Sequence, residues 1–218
     1  MERIPDKKEL REALAARQGE TLQARLDGAS VAVCGLGGLG SNIAIALARA
    51  GVGRLHLMDF DRVEITNLNR QQYKVSQIGM LKTEAMRENL AEIAPYCNVT
   101  IDTVRLTAEN IPERLSGFPI ICEAFDKAEA KAMLLDAAAQ HFPDAWLVSG
   151  TGMAGIGPAN LIRTRRLGRR LVLCGDGISD VESSGTLFSA RVMACAAHEA
   201  LAVIRIIAGD YDNINIKE

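Results

Sequence analysis

The sequence is poor in the residues that mark membrane, secreted and metal-bound proteins. Aromatic residues make up 4% of its 218 positions, and it holds only three histidines. No apolar run reaches the roughly 20 residues that a membrane-spanning helix needs. The opening MERIPDKKELREALAARQGE has no apolar stretch followed by a cleavage site, as a secretory signal would. We therefore expect a cytoplasmic protein that does not contact a membrane.

The cysteines are scattered and form no Cys-x-x-Cys pair; they are Cys34, Cys97, Cys122, Cys174 and Cys195. This spacing argues against a disulfide framework and predicts that no zinc is bound. Three of them, Cys34, Cys122 and Cys195, lie in apolar surroundings typical of core positions.

The balance of charge is close to neutral, with a formal net charge of −2. This charge gives the protein no strongly basic surface, so we expect no nucleic-acid partner. Apolar residues make up 48% of the chain, which is enough for a sizeable core. The length predicts one domain over residues 1–218, with a charged, Ala/Leu-rich N-terminal helix at about residues 6–27.

Strands and helices alternate through the first 150 residues. SVAVCG, RLHLMD, NVTIDTV, PIICEAF and AWLVSG predict five strands, and helices are expected near residues 39–51, 76–93, 108–115 and 127–141. This order predicts a parallel sheet with right-handed crossovers. After Gly150, TGMAGIGPANLIRTRR and RRLVLCGDG predict two more strands joined by a tight basic turn, before a last helix at about 187–208. The predicted fold is α/β and Rossmann-like: a mainly parallel sheet flanked by helices, with an antiparallel C-terminal extension.

A glycine-rich turn follows the first strand and opens a helix. Gly35, Gly37 and Gly40 fit the pattern G-x-G-x-x-G, and Gly38 is a glycine as well. Without Cβ atoms the backbone can approach a phosphate, and the helix N-terminus adds partial positive charge. Asp59 ends the second strand, where an acid would accept hydrogen bonds from ribose hydroxyls. The turn predicts a nucleotide site without choosing between a dinucleotide and ATP.

The segment after the second strand favours ATP. DFDRVEITNLNRQQYKVSQIGMLKTEAM places Asn67, Arg70 and Lys82 soon after Asp59. Two cations and an amide would suit a triphosphate better than the single pyrophosphate of a dinucleotide. Asp126 follows the fourth strand, where a carboxylate could hold Mg²⁺ together with water and phosphate oxygens. It could equally be the N-cap of the helix that starts at Lys127.

The order GLGGLG, DFD, NLNRQ, G-x-x-K and a later Asp resembles the ubiquitin-activating superfamily, and within it the bacterial sulfur-carrier activators of the ThiF and MoeB type. The resemblance covers about residues 30–210, including GTLFSARVMACAAHEALAVIRIIAG as the last helix. It implies that Gly35, Gly37, Gly38, Gly40, Asp59 and Asp61 bind the nucleotide. It also implies that Asn67, Arg70 and Lys82 contact the phosphates, that Asp126 carries Mg²⁺, and that the protein is a homodimer.

Two further roles in that family have candidate counterparts in this sequence. An N-terminal arginine reaches the ATP of the partner subunit, and Arg17 is the candidate here, with Arg11 as the competitor. Some relatives relay the activated carrier through a cysteine before the last helix. The comparable stretch VESSGTLFSAR has serines, and the nearby Cys174 is either a reactive thiol or an inert residue at a strand end. The pair His198-Glu199 is expected at the surface or at an interface.

The reaction that the resemblance implies is adenylation of the C-terminal Gly-Gly carboxylate of a small ubiquitin-like sulfur carrier, in thiamine biosynthesis. The alternatives are another acceptor (a molybdopterin carrier, a peptide or a tRNA base), an NAD- or FAD-dependent oxidoreductase, and a nucleotide-binding regulatory module without turnover. The small-residue run from Ser149 to Asn160 is either a cradle for an extended tail or a turn between two strands.

Overall fold

A seven-stranded sheet forms the centre of the computed structural model, which describes residues 3–212. Its order is β3-β2-β1-β4-β5-β7-β6, and all neighbouring pairs are parallel except β6 with β7. The strands are β1 (Ser30–Cys34), β2 (Arg54–Met58), β3 (Asn98–Asp102), β4 (Ile120–Glu123), β5 (Trp146–Gly150), β6 (Arg163–Leu167) and β7 (Leu171–Gly175). The predicted fold class is confirmed, with a single antiparallel strand in the described chain.

The helices cover both faces of this sheet. They are α1 (Lys7–Gln18), α2 (Glu20–Asp27), α3 (Gly38–Ala50), α4 (Lys82–Ile93), α5 (Ile111–Arg114), α6 (Ala128–His141), α7 (Val181–Ser184) and α8 (Ser189–Ala208). One apolar cluster packs α3, α4 and α8 against the sheet, and a second packs α5 and α6 against the opposite face. Cys34, Cys122 and Cys195 are fully buried, which confirms them as core residues.

The N-terminal segment contains two helices, so the prediction of one helix over residues 6–27 is wrong. Asp6 caps α1, and its side chain and that of Glu9 form a reciprocal capping box. The chain then breaks at Gly19, whose φ of 91° ends α1 and precedes α2. Glycine adopts positive φ without the strain of a Cβ, so one glycine divides an otherwise continuous helical pattern.

Three other predicted elements are shorter than expected. The helix predicted from Ser76 begins at Lys82, because residues 75–77 form a 3₁₀ turn and Gly79 has a φ of 88°. The helix predicted for residues 108–115 is only Ile111–Arg114, which has a proline in its first turn. Of the long strand predicted after Gly150, only Arg163–Leu167 forms, because positive-φ glycines interrupt the preceding stretch.

The long apolar helices do not extend to membrane dimensions. No helix within residues 3–212 combines the length and the hydropathy that crossing a bilayer requires.

Candidate functional site

The site lies at the carboxyl ends of β1 and β4, which are neighbours in the sheet. From β1 the chain continues to β2 on one side, and from β4 it continues to β5 on the other. Open α/β sheets bind ligands where the strand order reverses in this way. The turn after β1 holds the four glycines, and the turn after β4 holds Asp126.

The four glycines divide into two roles. Gly35 has a φ of 95°, and a Cβ there would lie 2.8 Å from the carbonyl oxygen of Ala124. A Cβ on Gly40 would overlap the carbonyl oxygen of Gly35. These two glycines therefore let α3 and the β4 turn pack closely. A Cβ on Gly37 would meet its nearest neighbour only at 3.9 Å, so Gly37 borders open space at the mouth of the turn.

Asp59 organises the glycine turn from the end of β2. Its Oδ2 accepts a hydrogen bond from the Leu36 N–H at 2.6 Å, and its Oδ1 accepts one from the Asp61 N–H at 2.7 Å. Tyr73 adds a third contact, because its hydroxyl donates to the Leu36 carbonyl oxygen at 2.7 Å. Burial raises the pKa of Asp59, while nearby Lys82 and the two N–H donors oppose that rise. The sequence predicted the acid but not its use in shaping the turn.

Lys82 lies beside this acid at the start of α4. Its Nζ is 3.1 Å from Oδ2 of Asp61, and the lysine side chain is 7% exposed whereas that of Asp61 is 51% exposed. A buried ammonium with one half-exposed partner keeps donors for an incoming anion. Lys82, Asp61 and Asp59 are thus brought together as the motif predicted.

Arg70 lies along the start of α3. A Cβ on Gly38 would be 3.5 Å from Cγ of Arg70, so the arginine stem runs past the helix N-terminus. Its Nη1 donates to the Thr66 carbonyl oxygen and to Oδ1 of Asn69, while the buried Nε has no partner among the described residues. The guanidinium therefore carries an unsatisfied donor next to the predicted phosphate position.

Asn67 shapes the segment that carries Arg70. Its Oδ1 accepts a hydrogen bond from the Glu64 N–H at 3.1 Å, within the 3₁₀ turn Ile65–Asn67. The side chain is buried, and the carbonyl oxygen of Asn67 accepts from the Arg70 N–H at 3.2 Å. In this geometry Asn67 orients Arg70, and its predicted phosphate contact remains a proposal.

Asp126 is exposed at the carboxyl edge of β4 and is not the N-cap of α6. Lys127 holds the cap position, without a side-chain cap bond, so that alternative for Asp126 is wrong. The preceding Phe125 lies against the glycine turn, with Cδ1 3.2 Å from where a Gly35 Cβ would be. An exposed carboxylate fits Mg²⁺, a hard cation that takes its other ligands from water and phosphate oxygens. Within residues 3–212 no three His, Cys, Asp or Glu side chains cluster in a way that could hold a metal.

The N-terminal arginines differ in their surroundings. Arg11 is bound within its own chain, since its guanidinium pairs with Glu20 and lies 2.7 Å from a carboxylate oxygen of Asp27. Those pairs raise the pKa of Arg11 and occupy its donors. Arg17 is exposed in the last turn of α1. Arg17 is therefore the better candidate of the two for reaching a second subunit, and this role remains a proposal.

Cys174 is buried, which contradicts the interpretation as a reactive thiol. It has no exposed surface, and burial raises the pKa of its thiol far above the ordinary value. A neutral, inaccessible thiol is a poor nucleophile. Of the nearby serines of VESSGTLFSAR, Ser183 and Ser184 belong to α7 and Ser189 begins α8.

The glycine run after β5 packs against the chain that precedes α8. A Cβ on Gly152 would overlap Oδ1 of Asp176, and one on Gly155 would lie 2.8 Å from the carbonyl oxygen of Ser184. Arg191 holds the same region: it is 6% exposed, lies 2.5 Å from Asp176 and donates to the Gly157 and Pro158 carbonyl oxygens. These glycines are explained by internal packing of a loop. No pattern in the sequence indicates the Arg191–Asp176 pair.

Glu199 is fully buried, so the predicted surface or interface pair with His198 is wrong. It faces the interior from α8, and burial raises its pKa well above the usual range. His198 is half-buried and its Nδ1 lies 2.8 Å from Oγ1 of Thr164.

Comparison with known proteins gives several relatives. The chain is 42% identical over 114 residues to the tRNA threonylcarbamoyladenosine dehydratase of Haemophilus influenzae, covering 51% of this chain and 44% of that protein. It is 36% identical over 129 residues to a sulfur carrier protein adenylyltransferase of Thermus thermophilus, covering 59% of this chain and 48% of that protein. The matched part therefore spans less than half the length of each of these relatives.

Solved structures extend the likeness to the whole fold. The crystal structure of the Escherichia coli tRNA threonylcarbamoyladenosine dehydratase in complex with ATP superposes with a TM-score of 0.85 at 21% identity, covering 98% of this chain and 100% of that chain. At this identity the likeness supports the fold alone. The sequence model described as the ThiF family matches residues 10–215. That match takes in nearly the entire sequence, and the chain therefore belongs to the ThiF family.

Proposed function

We propose that this chain is an ATP-dependent adenylyltransferase, with residues 1–218 acting as one adenylation domain in a homodimer. The observation that carries the proposal is the convergence of three segments on the start of α3: Asp59 bonded to the glycine turn, Lys82 beside Asp61, and Arg70 along Gly38. A redox fold needs the turn and the acid but not the two cations. Family membership supports the same assignment.

The chemistry joins an ionised carboxylate to the α-phosphorus of ATP. A carboxylate oxygen forms a bond to that phosphorus while the bond to the bridging oxygen of the β-phosphate breaks, and pyrophosphate leaves with the electron pair. No base is needed, because the nucleophile is already an anion at neutral pH. The barrier arises from an anion meeting a polyanion and from charge on the leaving group, and fixed cations lower both.

The residues of the site have distinct parts in this step. Lys82 and Arg70 neutralise phosphate oxygens, and the helix N-terminus at Gly38 adds its dipole. Asp59 fixes the turn and keeps acceptor capacity for ribose hydroxyls. Mg²⁺, when bound at Asp126, supplies charge neutralisation on the phosphate oxygens.

The acceptor that we propose is the C-terminal Gly-Gly carboxylate of a small ubiquitin-like sulfur carrier of the ThiS type, in thiamine biosynthesis. Support comes from the 36% identity to a sulfur carrier protein adenylyltransferase. The second candidate is a tRNA nucleoside, favoured by the 42% identity to a tRNA threonylcarbamoyladenosine dehydratase. A threonylcarbamoyl group also carries a carboxylate, so the same activation would apply to it.

One experiment separates these acceptors. The protein is incubated with ATP, Mg²⁺ and either a Gly-Gly-ended carrier or threonylcarbamoyladenosine-containing tRNA. Mass spectrometry then looks for AMP added to the carrier, or for loss of water from the nucleoside. A carrier lacking its terminal glycine is the matched control and should stay unmodified. Adduct on neither substrate, combined with a thermal shift produced by NAD but not by ATP, would replace the proposal with the oxidoreductase alternative.

A further inference from the structure

A buried ion pair lies next to the site without belonging to the glycine turn. Glu123, the last residue of β4, has no exposed surface, and Lys131 of α6 has a side chain that is 21% exposed. The lysine Nζ is 2.9 Å from one carboxylate oxygen of Glu123 and 3.2 Å from the other. Taking two charges out of water offsets much of their mutual attraction, so a buried ion pair is by itself weak evidence of a stabilising role.

Glu123 uses its remaining acceptor capacity on the turn that leads to Asp126. Its Oε1 accepts a hydrogen bond from the Phe125 N–H at 2.7 Å, and its Oε2 accepts one from the Ser149 hydroxyl at 2.5 Å. The first of these bonds fixes the backbone one residue before Asp126. Because Phe125 also packs beside Gly35, the carboxylate of Glu123 sets how Asp126 stands relative to the nucleotide turn.

Lys131 extends the same network to β5. Its Nζ donates to the carbonyl oxygen of Gly150 at 2.9 Å, at the point where the glycine-rich loop begins. Glu199 also lies close to Gly150: a Cβ there would be 2.6 Å from its Oε1, and its Oε2 has no partner in the described part of the chain. The ammonium of Lys131 therefore ties the end of β4 to the end of β5.

We propose that Glu123 and Lys131 are positioning residues of the adenylation reaction, which hold the Phe125–Asp126 turn and the Gly150 carbonyl in register with the nucleotide turn. The proposal rests on the proposed function for its catalytic readout. It concerns the cation-dependent half of the site, because the contacts of Asp59, Lys82 and Arg70 do not involve this pair.

The test compares the full-length protein with Glu123→Gln/Lys131→Met, which removes both buried charges together. Lys131→Arg is the conservative variant. The matched control is Lys74→Met/Glu92→Gln, which removes an exposed lysine–glutamate pair with a nitrogen–oxygen distance of 2.8 Å. Calorimetry measures the affinity for ATP without divalent cation, and then the affinity of the ATP complex for Mg²⁺. Labelled pyrophosphate exchange, with Mg²⁺ and the carboxylate acceptor (Gly-Gly-ended carrier or threonylcarbamoyladenosine-containing tRNA) present, gives kcat and KM for ATP.

We expect the double variant to bind cation-free ATP within about twofold of wild type. Its ATP complex should bind Mg²⁺ at least tenfold more weakly, with kcat for exchange reduced by at least tenfold and KM for ATP changed little. Lys131→Arg keeps the positive charge and should retain most of the wild-type Mg²⁺ affinity and kcat, and the exposed control pair should match wild type.

Two results would overturn the positioning role. Unchanged Mg²⁺ affinity and kcat would show that the pair only fills the interior. Loss of cation-free ATP binding along with the Mg²⁺ effect would show that it supports the whole fold. Failure of the proposed function has a different signature: wild type itself would show no exchange, while the Mg²⁺ affinities would still report on the pair.

Discussion

The ammonium of Lys82 lies 3.1 Å from a carboxylate oxygen of Asp61, two residues beyond the acid that holds the glycine turn. The lysine is almost fully buried, so its charge acts in surroundings where water screens it little. Desolvated charge of this kind stabilises a transition state more than the same charge on an exposed side chain would.

Replacing Lys82 should therefore strongly lower the catalytic rate. We expect Lys82→Ala to lower the rate of ATP–pyrophosphate exchange by about 10²–10³-fold, the range typical of losing a group that stabilises transition-state charge. Lys74→Ala, at an exposed lysine paired with Glu92, is the control and should keep its rate. Circular dichroism checks that both variants fold. A folded Lys82→Ala protein with normal exchange would place Lys82 outside the site.

Replacing Arg70 should also lower the rate of ATP–pyrophosphate exchange, because its guanidinium is the second proposed cation at the phosphates. Its stem runs along Gly38 and its Nε lacks a partner in the described chain, so Arg70→Ala removes the proposed phosphate donor without breaking an ion pair in that part of the chain. We expect exchange to fall by at least about 100-fold. Arg87→Ala, which breaks an exposed pair with Glu84 on α4, should leave the rate within about twofold. Equal rates in the two variants would contradict a phosphate contact for Arg70.

Gly40 should be intolerant of any side chain. A Cβ there would overlap the Gly35 carbonyl oxygen, which is backbone and cannot swing away. We expect Gly40→Ala to reduce the free energy of unfolding by about 3 kcal/mol or more, at the upper end of overpacking costs. Gly28→Ala is the matched control, since a Cβ there meets only ordinary contacts at 3.7 Å, and it should change stability by less than about 1 kcal/mol. Urea titration measures both.

Glu199 should make stability depend on pH. Burial raises its folded-state pKa above the value of about 4.5 expected for the unfolded chain, so the folded protein retains a proton that the unfolded chain releases. The contribution to stability is complete below that pH and is lost as pH rises toward the folded-state pKa, at up to about 1.4 kcal/mol per pH unit. Glu199→Gln should flatten this decline as pH rises above about 4.5.

The exposed Glu113 offers the comparison for that experiment. Urea titrations at several pH values should give Glu113→Gln the wild-type slope. If Glu199→Gln also kept the wild-type slope, Glu199 would be ionised in the folded protein at those pH values.

The glycine turn, its acid and the alternation of strands and helices were predictable because each is a local pattern. Periodicity fixes which strands are buried, and G-x-G-x-x-G has a physical reason that needs only its immediate neighbours. The break at Gly19 was missed because helical spacing continues across it, and only a positive φ ends the helix. A glycine near the end of a helical pattern is the signal that could have located it.

The contacts between distant segments were not predictable from spacing. Glu199 reads as one charge among the polar positions of α8, yet it faces the interior because Gly150 leaves room beside it. Glu123 gave a weak signal, as the one charge within the apolar strand PIICEAF, but its partner Lys131 is eight residues away on another element. Which residues lie near each other across elements depends on how α6 and α8 pack on the sheet.

The strand β6 limits the sheet on one side, and its outward positions include Arg163 and Arg165, both exposed. The last strand of a sheet offers backbone groups that another chain can pair with, and charged side chains discourage that pairing. Two β6 edges that approach each other would bring like charges together, so Arg163 and Arg165 disfavour edge-to-edge pairing of two molecules into fibres.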